Sequence, residues 1–184
     1  MRSAELMPHA GLNIPIVKTG RLILRGYVPD DFRHLAALWG DPSVTRFIGG
    51  QPSTPSESWL RLLSSAGHWA LHGFGYWLAE ERQGGRFVGQ IGMADFKRDI
   101  EPGLDGAPEV GWVLSPSAHG KGYATEAVQA ALAWAESNLG AKRYVCIVDP
   151  QNQASLRVAE KCGFAPFAET EFKGTSVLLM ERLT

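Results

Sequence analysis

Cysteine is scarce in this chain: among 184 residues only Cys146 and Cys162 are thiols, one in an expected strand and one at an expected helix end. Such a pair makes neither a disulfide framework nor a metal-ligand set, and small buried thiols are the ordinary reading. An excess of one charge is missing too. Lys and Arg total 18 against 19 Asp and Glu, a net charge of −1, which removes the electrostatic case for wrapping nucleic acid or lying on an anionic membrane. No apolar run approaches the ~20 residues that span a bilayer, and the N-terminus lacks the continuous apolar segment of a signal peptide, so a cytoplasmic location is expected. Concentrated acidic runs, internal repeats and an obvious linker are also absent. What is left, 45% hydrophobic and 20% charged residues, suits one globular domain with a sizeable core.

Periodicity and punctuation divide the chain into alternating elements. Residues 1–17 hold prolines and little periodicity and are expected to form a flexible arm, with one domain over 18–184. RLILRGY at 21–27 reads as a strand, and Asp30 or Asp31 can cap a helix carrying Phe32, Leu35, Leu38 and Trp39. A second helix is expected from about Ser56 to Leu71. The segments 75–82 and 86–96 read as a hairpin joined through Gly84 and Gly85. A surface turn over 97–107 then leads to EVGWVL at 109–114, a strand ended by Ser115 and Pro116. Helical spacing of Ala124, Val128, Leu132, Ala135 and Leu139 predicts a helix closed by Gly140. RYVCIV at 143–148 is another strand, a helix follows Asn152, and 166–173 with 175–182 form a closing hairpin. The pattern is α/β, with antiparallel hairpins around a central strand-helix-strand crossover.

Between that central strand and its helix lies HGKGYATEA, residues 119–127. Gly120 and Gly122 let the main chain curl toward a ligand, and the first amides of a helix have no intrahelical acceptors, so the segment is built to bind an anion such as phosphate. A P-loop needs four residues between its glycines and then Lys with Ser or Thr, which this loop lacks. A dinucleotide fingerprint wants a third glycine where Thr125 stands, but Asp149 sits about where its acidic residue would be. A dinucleotide-binding oxidoreductase and a plain connecting turn therefore stay open on the loop alone.

Neighbouring segments add a resemblance. HGKGYA resembles the pyrophosphate loop Q/R-x-x-G-x-G/A of the GNAT superfamily of acetyl-CoA-dependent N-acyltransferases, with His119 in the first position. TGRLILRGYVPDD at 19–31 resembles the opening strand and turn of its ribosomal-protein N-acetyltransferase-like branch. NQASLRVAEKCGF at 152–164 resembles that branch's N-x-x-S-x-x-x-x-E-K-x-G-F signature. The resemblance covers almost everything beyond residue 18. It implies the GNAT fold, a mixed and mostly antiparallel central sheet flanked by about four helices, and acetyl transfer from acetyl-CoA to an amine. A non-catalytic acyl-CoA sensor with the same fold is the alternative.

By the same resemblance, the diphosphate lies against His119, Gly120, Lys121, Gly122, Tyr123, Ala124 and Thr125, chiefly through the amides of Gly120 to Ala124. The central strand and the next splay apart, and the pantetheine arm pairs with the main chain at Val113 and Leu114. Asn152 contacts that arm; a plain helix N-cap is its ordinary role. For Lys121 and His119 the ordinary roles are a solvated charge and a surface loop residue. An ammonium has no lone pair, so a base must free the amine, and Glu109 is the candidate. Strand alternation puts it on the face opposite Val110, Trp112 and Leu114. Otherwise it is a solvent-facing charge or the partner of an arginine. Ser155 is the candidate proton donor to the leaving thiolate, because Ala159 stands where many relatives have Tyr; a polar filler in the first helical turn is its ordinary role. A main-chain amide near Leu114 would polarise the carbonyl. Trp39, Phe47, Trp59, Trp69 and Phe172 are candidates for the acceptor pocket. The acceptor is expected to be a protein N-terminal α-amine or a small-molecule amine, with no nucleic acid or membrane partner, and the protein a monomer or homodimer.

Overall fold

In a computed structural model that describes residues 12–184, the chain forms one eight-stranded sheet in the order β1-β2-β3-β4-β5-β6-β8-β7. The strands are β1 (Val17–Lys18), β2 (Leu22–Arg25), β3 (Tyr76–Glu81), β4 (Phe87–Ala94), β5 (Glu109–Leu114), β6 (Arg143–Val148), β7 (Ala165–Phe172) and β8 (Thr175–Leu183). Every adjacent pair is antiparallel except β5 and β6. The α-helices are α1 (Phe32–Trp39), α2 (Pro42–Thr45), α3 (Pro55–His72), α4 (Tyr123–Asn138) and α5 (Gln153–Lys161).

Expected elements recur with a few corrections. Among the described residues five α-helices stand where about four were expected. The short α2 is set by Asp41, whose carboxylate accepts from the Ser43 amide, and by Pro42 in the first turn; a four-residue turn is too short to show periodicity. The segment 97–107 does not stay at the surface throughout, because Ile100 is buried with Val177 and Leu179. Of the expected arm, residues 1–11 lie outside the described residues. Beyond them, Ile14 packs against the main core and the Pro15 carbonyl accepts from the Trp77 indole at 2.8 Å.

The main core lies between one sheet face and α4. Ala127, Ala131 and Ala135 are fully buried, and their small side chains let α4 sit close on β4 and β5, the strands it contacts most. The opposite face carries α1 and α3, whose Leu35, Leu38, Trp39 and Leu62 form a second cluster with Val113 and Phe87. Each side of β5 is thus covered by a different layer. Because α4 carries the chain from β5 to a parallel neighbour, the loop before α4 lies at the C-terminal ends of both strands.

Candidate functional site

Strands β5 and β6 are in register at one pair only, Glu109 with Val145, supported by Val145 N–H to the Pro108 carbonyl at 3.1 Å. Beyond that point they diverge, leaving a wedge that opens toward the glycine loop and the start of α5. Ser115 N–H donates to the Val88 carbonyl at 2.9 Å, so the odd-numbered main-chain groups of β5 face β4. Those of Trp112 and Leu114 face the wedge by alternation. This assigns one of the two expected main-chain positions, Leu114, to the wedge; Val113 instead pairs with Gln90 of β4.

The loop itself has the geometry of an amide cradle. Gly120 and Gly122 adopt φ of +73° and +76°, a region that side chains with a Cβ avoid. No protein acceptor among the described residues takes the amides of Gly120, Lys121, Gly122, Tyr123, Ala124 or Thr125; the first bond of α4 is Glu126 N–H to the Gly122 carbonyl. Helices α2, α3 and α5 are capped by Asp41, Thr54 and Asn152, whereas α4 begins at Gly122 with no side-chain cap. Its positive end and orphan amides are therefore available to an anion.

Arg21 braces this cradle, and the sequence reading did not single it out. Its Nη1 donates to the Lys121 carbonyl at 2.8 Å, its Nε donates to Glu126 Oε2 at 2.7 Å, and its guanidinium lies 4.7 Å from the centre of the Tyr123 ring. Thr19 Oγ1 and the Arg21 amide both donate to Glu126 Oε1. Burial pushes the Glu126 carboxyl up, but these bonds outweigh it and hold the group below its ordinary range. Tyr123 Oη donates to Glu81 Oε1 at 3.0 Å. The Thr-x-Arg-Leu segment carried this signal, yet nothing in sequence spacing pairs residue 21 with residue 126.

His119 is exposed, and its Nε2 donates to the Leu114 carbonyl at 3.0 Å, tying the loop to the end of β5. Lys121 is exposed, with its ammonium 6.0 Å from the Tyr123 ring centre. Asn152 is the N-cap of α5: its Oδ1 accepts from the Ser155 amide at 3.1 Å. That leaves Asn152 Nδ2 and Ser155 Oγ with no hydrogen-bond partner among the described residues. Both sit just past the C-terminal end of β6, at the open end of the wedge.

Glu109 stands at the closed end, ~17 Å along β5 from Leu114 at the usual rise per residue. It is 7% exposed, so it is not a solvent-facing charge. Arg98 grips it bidentately, Nε to Oε2 and Nη2 to Oε1, each at 2.6 Å. Burial alone would lower the pKa of Arg98, but the bonds to Glu109 outweigh it and raise it. The Arg98 guanidinium lies 4.7 Å from the Phe96 ring centre and 5.1 Å from that of Phe172. A cavity of about 240 Å³ borders this pair, lined among others by Ala94, Leu104 and Ala107.

The aromatic candidates separate. Trp69 is core, edge-on to Trp77 and Trp134 with its indole bonded to the Tyr76 carbonyl. Trp39 is buried beneath Arg61, Trp59 meets Phe32 edge-on, Phe47 lies under Arg46, and Phe172 backs Arg98. Cys146 and Cys162 are buried and free. Burial raises both thiols, Cys162 to about 11, so neither is poised as a nucleophile. Among the described residues there is no metal-binding cluster, and no helix is long and apolar enough to cross a membrane.

The chain is similar to known proteins. The family model for the acetyltransferase (GNAT) domain matches residues 21–165. A GnaT-family acetyltransferase from Bordetella pertussis is 31% identical, with a TM-score of 0.81 over 92% of this chain and 99% of its own. The N-acetyltransferase YoaA of Bacillus subtilis is 26% identical over 151 residues, 82% of either chain. Spermidine N-acetyltransferase from Vibrio cholerae, solved with CoA and spermine, is 18% identical with a TM-score of 0.72 over 90% of this chain and 96% of its own. At that identity it shares the fold.

Proposed function

The chain belongs to the GNAT acetyltransferase family and uses acetyl-CoA as cosubstrate, and from that premise we propose an N-acetyltransferase that acts by direct attack of a primary amine in a ternary complex. The observation that carries the reading is the row of amides from Gly120 to Thr125, left without protein acceptors at the mouth of a wedge between parallel strands. A diphosphate satisfies those amides, and a pantetheine arm entering the wedge pairs with the main chain at Trp112 and Leu114. The free Nδ2 of Asn152 is a donor beside that arm.

The reaction forms a C–N bond to the thioester carbonyl carbon and breaks C–S. A wedge-facing main-chain N–H of β5, that of Trp112, stabilises the oxyanion; the thiolate takes a proton from Ser155 Oγ, which regains one through water from the nitrogen as it becomes the amide. Glu109 takes the ammonium proton through a water, using carboxylate lone pairs that Arg98 leaves free. The bidentate pair favours a second reading, in which Glu109 anchors Arg98 and moves no proton. The acceptor in this proposal is a protein N-terminal α-amine or a small-molecule amine. The first suits the motif resemblance to the ribosomal-protein-like branch, and cytoplasmic location accompanies it.

Thermal unfolding and thiol release test the proposal together. Acetyl-CoA is expected to raise the melting temperature where NAD does not, and to release thiol when an amine is added. Glu109→Gln keeps the melting shift and loses turnover; an unchanged rate selects the second reading. Gly122→Val loses the shift, because a β-branched residue at φ +76° displaces the loop. No shift with acetyl-CoA in the native protein sinks the proposal, and a shift without thiol release for any amine leaves the sensor alternative standing.

A further inference from the structure

On the α1/α3 side of the sheet, three successive rungs of β4 and β5 form a trough beside the wedge. The first is Gln90 with Val113, the second Gly92 with Gly111, and the third Ala94 with Glu109. The middle rung has no side chains, and Tyr76 of β3 fills it: Tyr76 pairs with Gly92, and a Cβ on Gly111 would overlap Tyr76 Oη. That hydroxyl has no hydrogen-bond partner among the described residues, yet it is not sealed from solvent. Burial, reinforced by the nearby Glu109, pushes its pKa above the ordinary phenol range, so it stays a donor.

Both ends of the trough carry a guanidinium. At the Glu109 rung Arg98 is neutralised by its carboxylate partner. At the Gln90 rung the cation is Arg61 of α3, held 3.9 Å over the ring of Trp39, whose indole N–H donates to Gln90 Oε1 at 3.2 Å. Arg61 makes no ion pair among the described residues. The carboxylate one helical turn before it, Glu57, is committed to the Thr54 amide and hydroxyl, and Asp95 is tied to Lys97. A guanidinium held over a fixed indole, exposed and with no hydrogen-bond partner among the described residues, has donors free for a planar anion. Glu57 screens Arg61 from one turn away without bonding to it, so the guanidinium keeps its donors for a ligand.

We propose that the acceptor is a small amine bearing a carboxylate, with the carboxylate seated on Arg61 and the nitrogen beside Tyr76 Oη. This rests on the acetyl-transfer reading and narrows its acceptor.

Matched acceptors differing only in that group decide it: glycine against glycinamide and 4-aminobutyrate against 4-aminobutanamide, with spermidine as the polycation. Turnover is read as thiol release, and binding to the acetyl-CoA-saturated protein by calorimetry. A carboxylate is expected to be favoured over its carboxamide by about tenfold in kcat/KM or Kd in at least one pair, the scale of a well-oriented charge-assisted contact. Arg61→Ala brings that ratio to about one through the acceptor KM, and Arg61→Lys restores part of it. The acetyl-CoA melting shift of either variant reports that the fold and the cofactor site are intact. Equal use of carboxylate and carboxamide, preference for spermidine, binding of neither matched pair, or a ratio that survives Arg61→Ala would each overturn the inference. If acetyl-CoA itself gives no melting shift, the acetyl-transfer reading fails instead.

Discussion

Removing the Arg21 side chain is a sensitive probe of how the glycine loop is held. Arg21→Ala deletes the bond to the Lys121 carbonyl, the pairing with Glu126 and the stacking on Tyr123, but takes away no loop amide. The Arg21 side chain is 51% exposed, so solvent screens much of the ion pair. Allowing about 1 kcal/mol for the carbonyl bond and ~0.5 kcal/mol each for the pair and the stacking gives roughly 2 kcal/mol. Most of that favours the curled loop over its open alternatives. A loop that must first be ordered by its ligand binds more weakly by that amount, about tenfold to thirtyfold in Kd. Titration calorimetry with acetyl-CoA reads the change directly. Steady-state kinetics should place the loss in KM for acetyl-CoA, with kcat at saturation and the acceptor KM largely kept. Arg21→Lys, which can reach Glu126 but not fork to the Lys121 carbonyl as well, should fall between. An unchanged Kd in a folded Arg21→Ala protein, or an equal loss in the acceptor KM, would refute the reasoning.

Two further outcomes follow from charged groups. Glu126 has a folded-state pKa below its ordinary value of 4.5, so its stabilising contribution is full above that value and is lost as pH falls through the lowered one. The acetyl-CoA melting shift should shrink on acidification below about pH 4.5, and Glu126→Gln should show a smaller shift with a flatter acid limb; identical pH profiles in the two proteins would exclude the link. Arg98→Ala strands the Glu109 carboxylate at 7% exposure, which should cost about 2–4 kcal/mol in urea unfolding. Double replacement by Arg98→Met and Glu109→Gln should recover part of that loss, and a single variant as stable as the native protein would show the pair to be idle.

Much of the fold was legible because it is written in local patterns. The apolar spacing of Ala124, Val128, Leu132 and Ala135 marked α4. The Gly84-Gly85 turn marked the β3–β4 hairpin, and the glycines before α4 marked a curled loop, in which both have positive φ. Where the signal is short it was missed, as in α2 and the two-residue β1. The turn at 97–107 has Gly103 and Gly106 as its visible signal, and a single apolar residue such as Ile100 shows no period that would mark it as buried.

Residue order alone is enough to show that a strand, a glycine loop and a helix succeed one another, that Glu109 points away from Val110 and Leu114, and that Asn152 can cap a helix. Those follow from backbone sterics and from the periods of strands and helices, which act over a few residues. The folded chain settles who meets whom: Arg98 with Glu109, Arg21 with Glu126 at a sequence distance of 105, Arg61 on Trp39, Tyr76 over Gly111. It also decided that β5 and β6 part company after one registered pair. Such pairings depend on strand order and on which layer covers each face, and side-chain chemistry is blind to both until the sheet has closed.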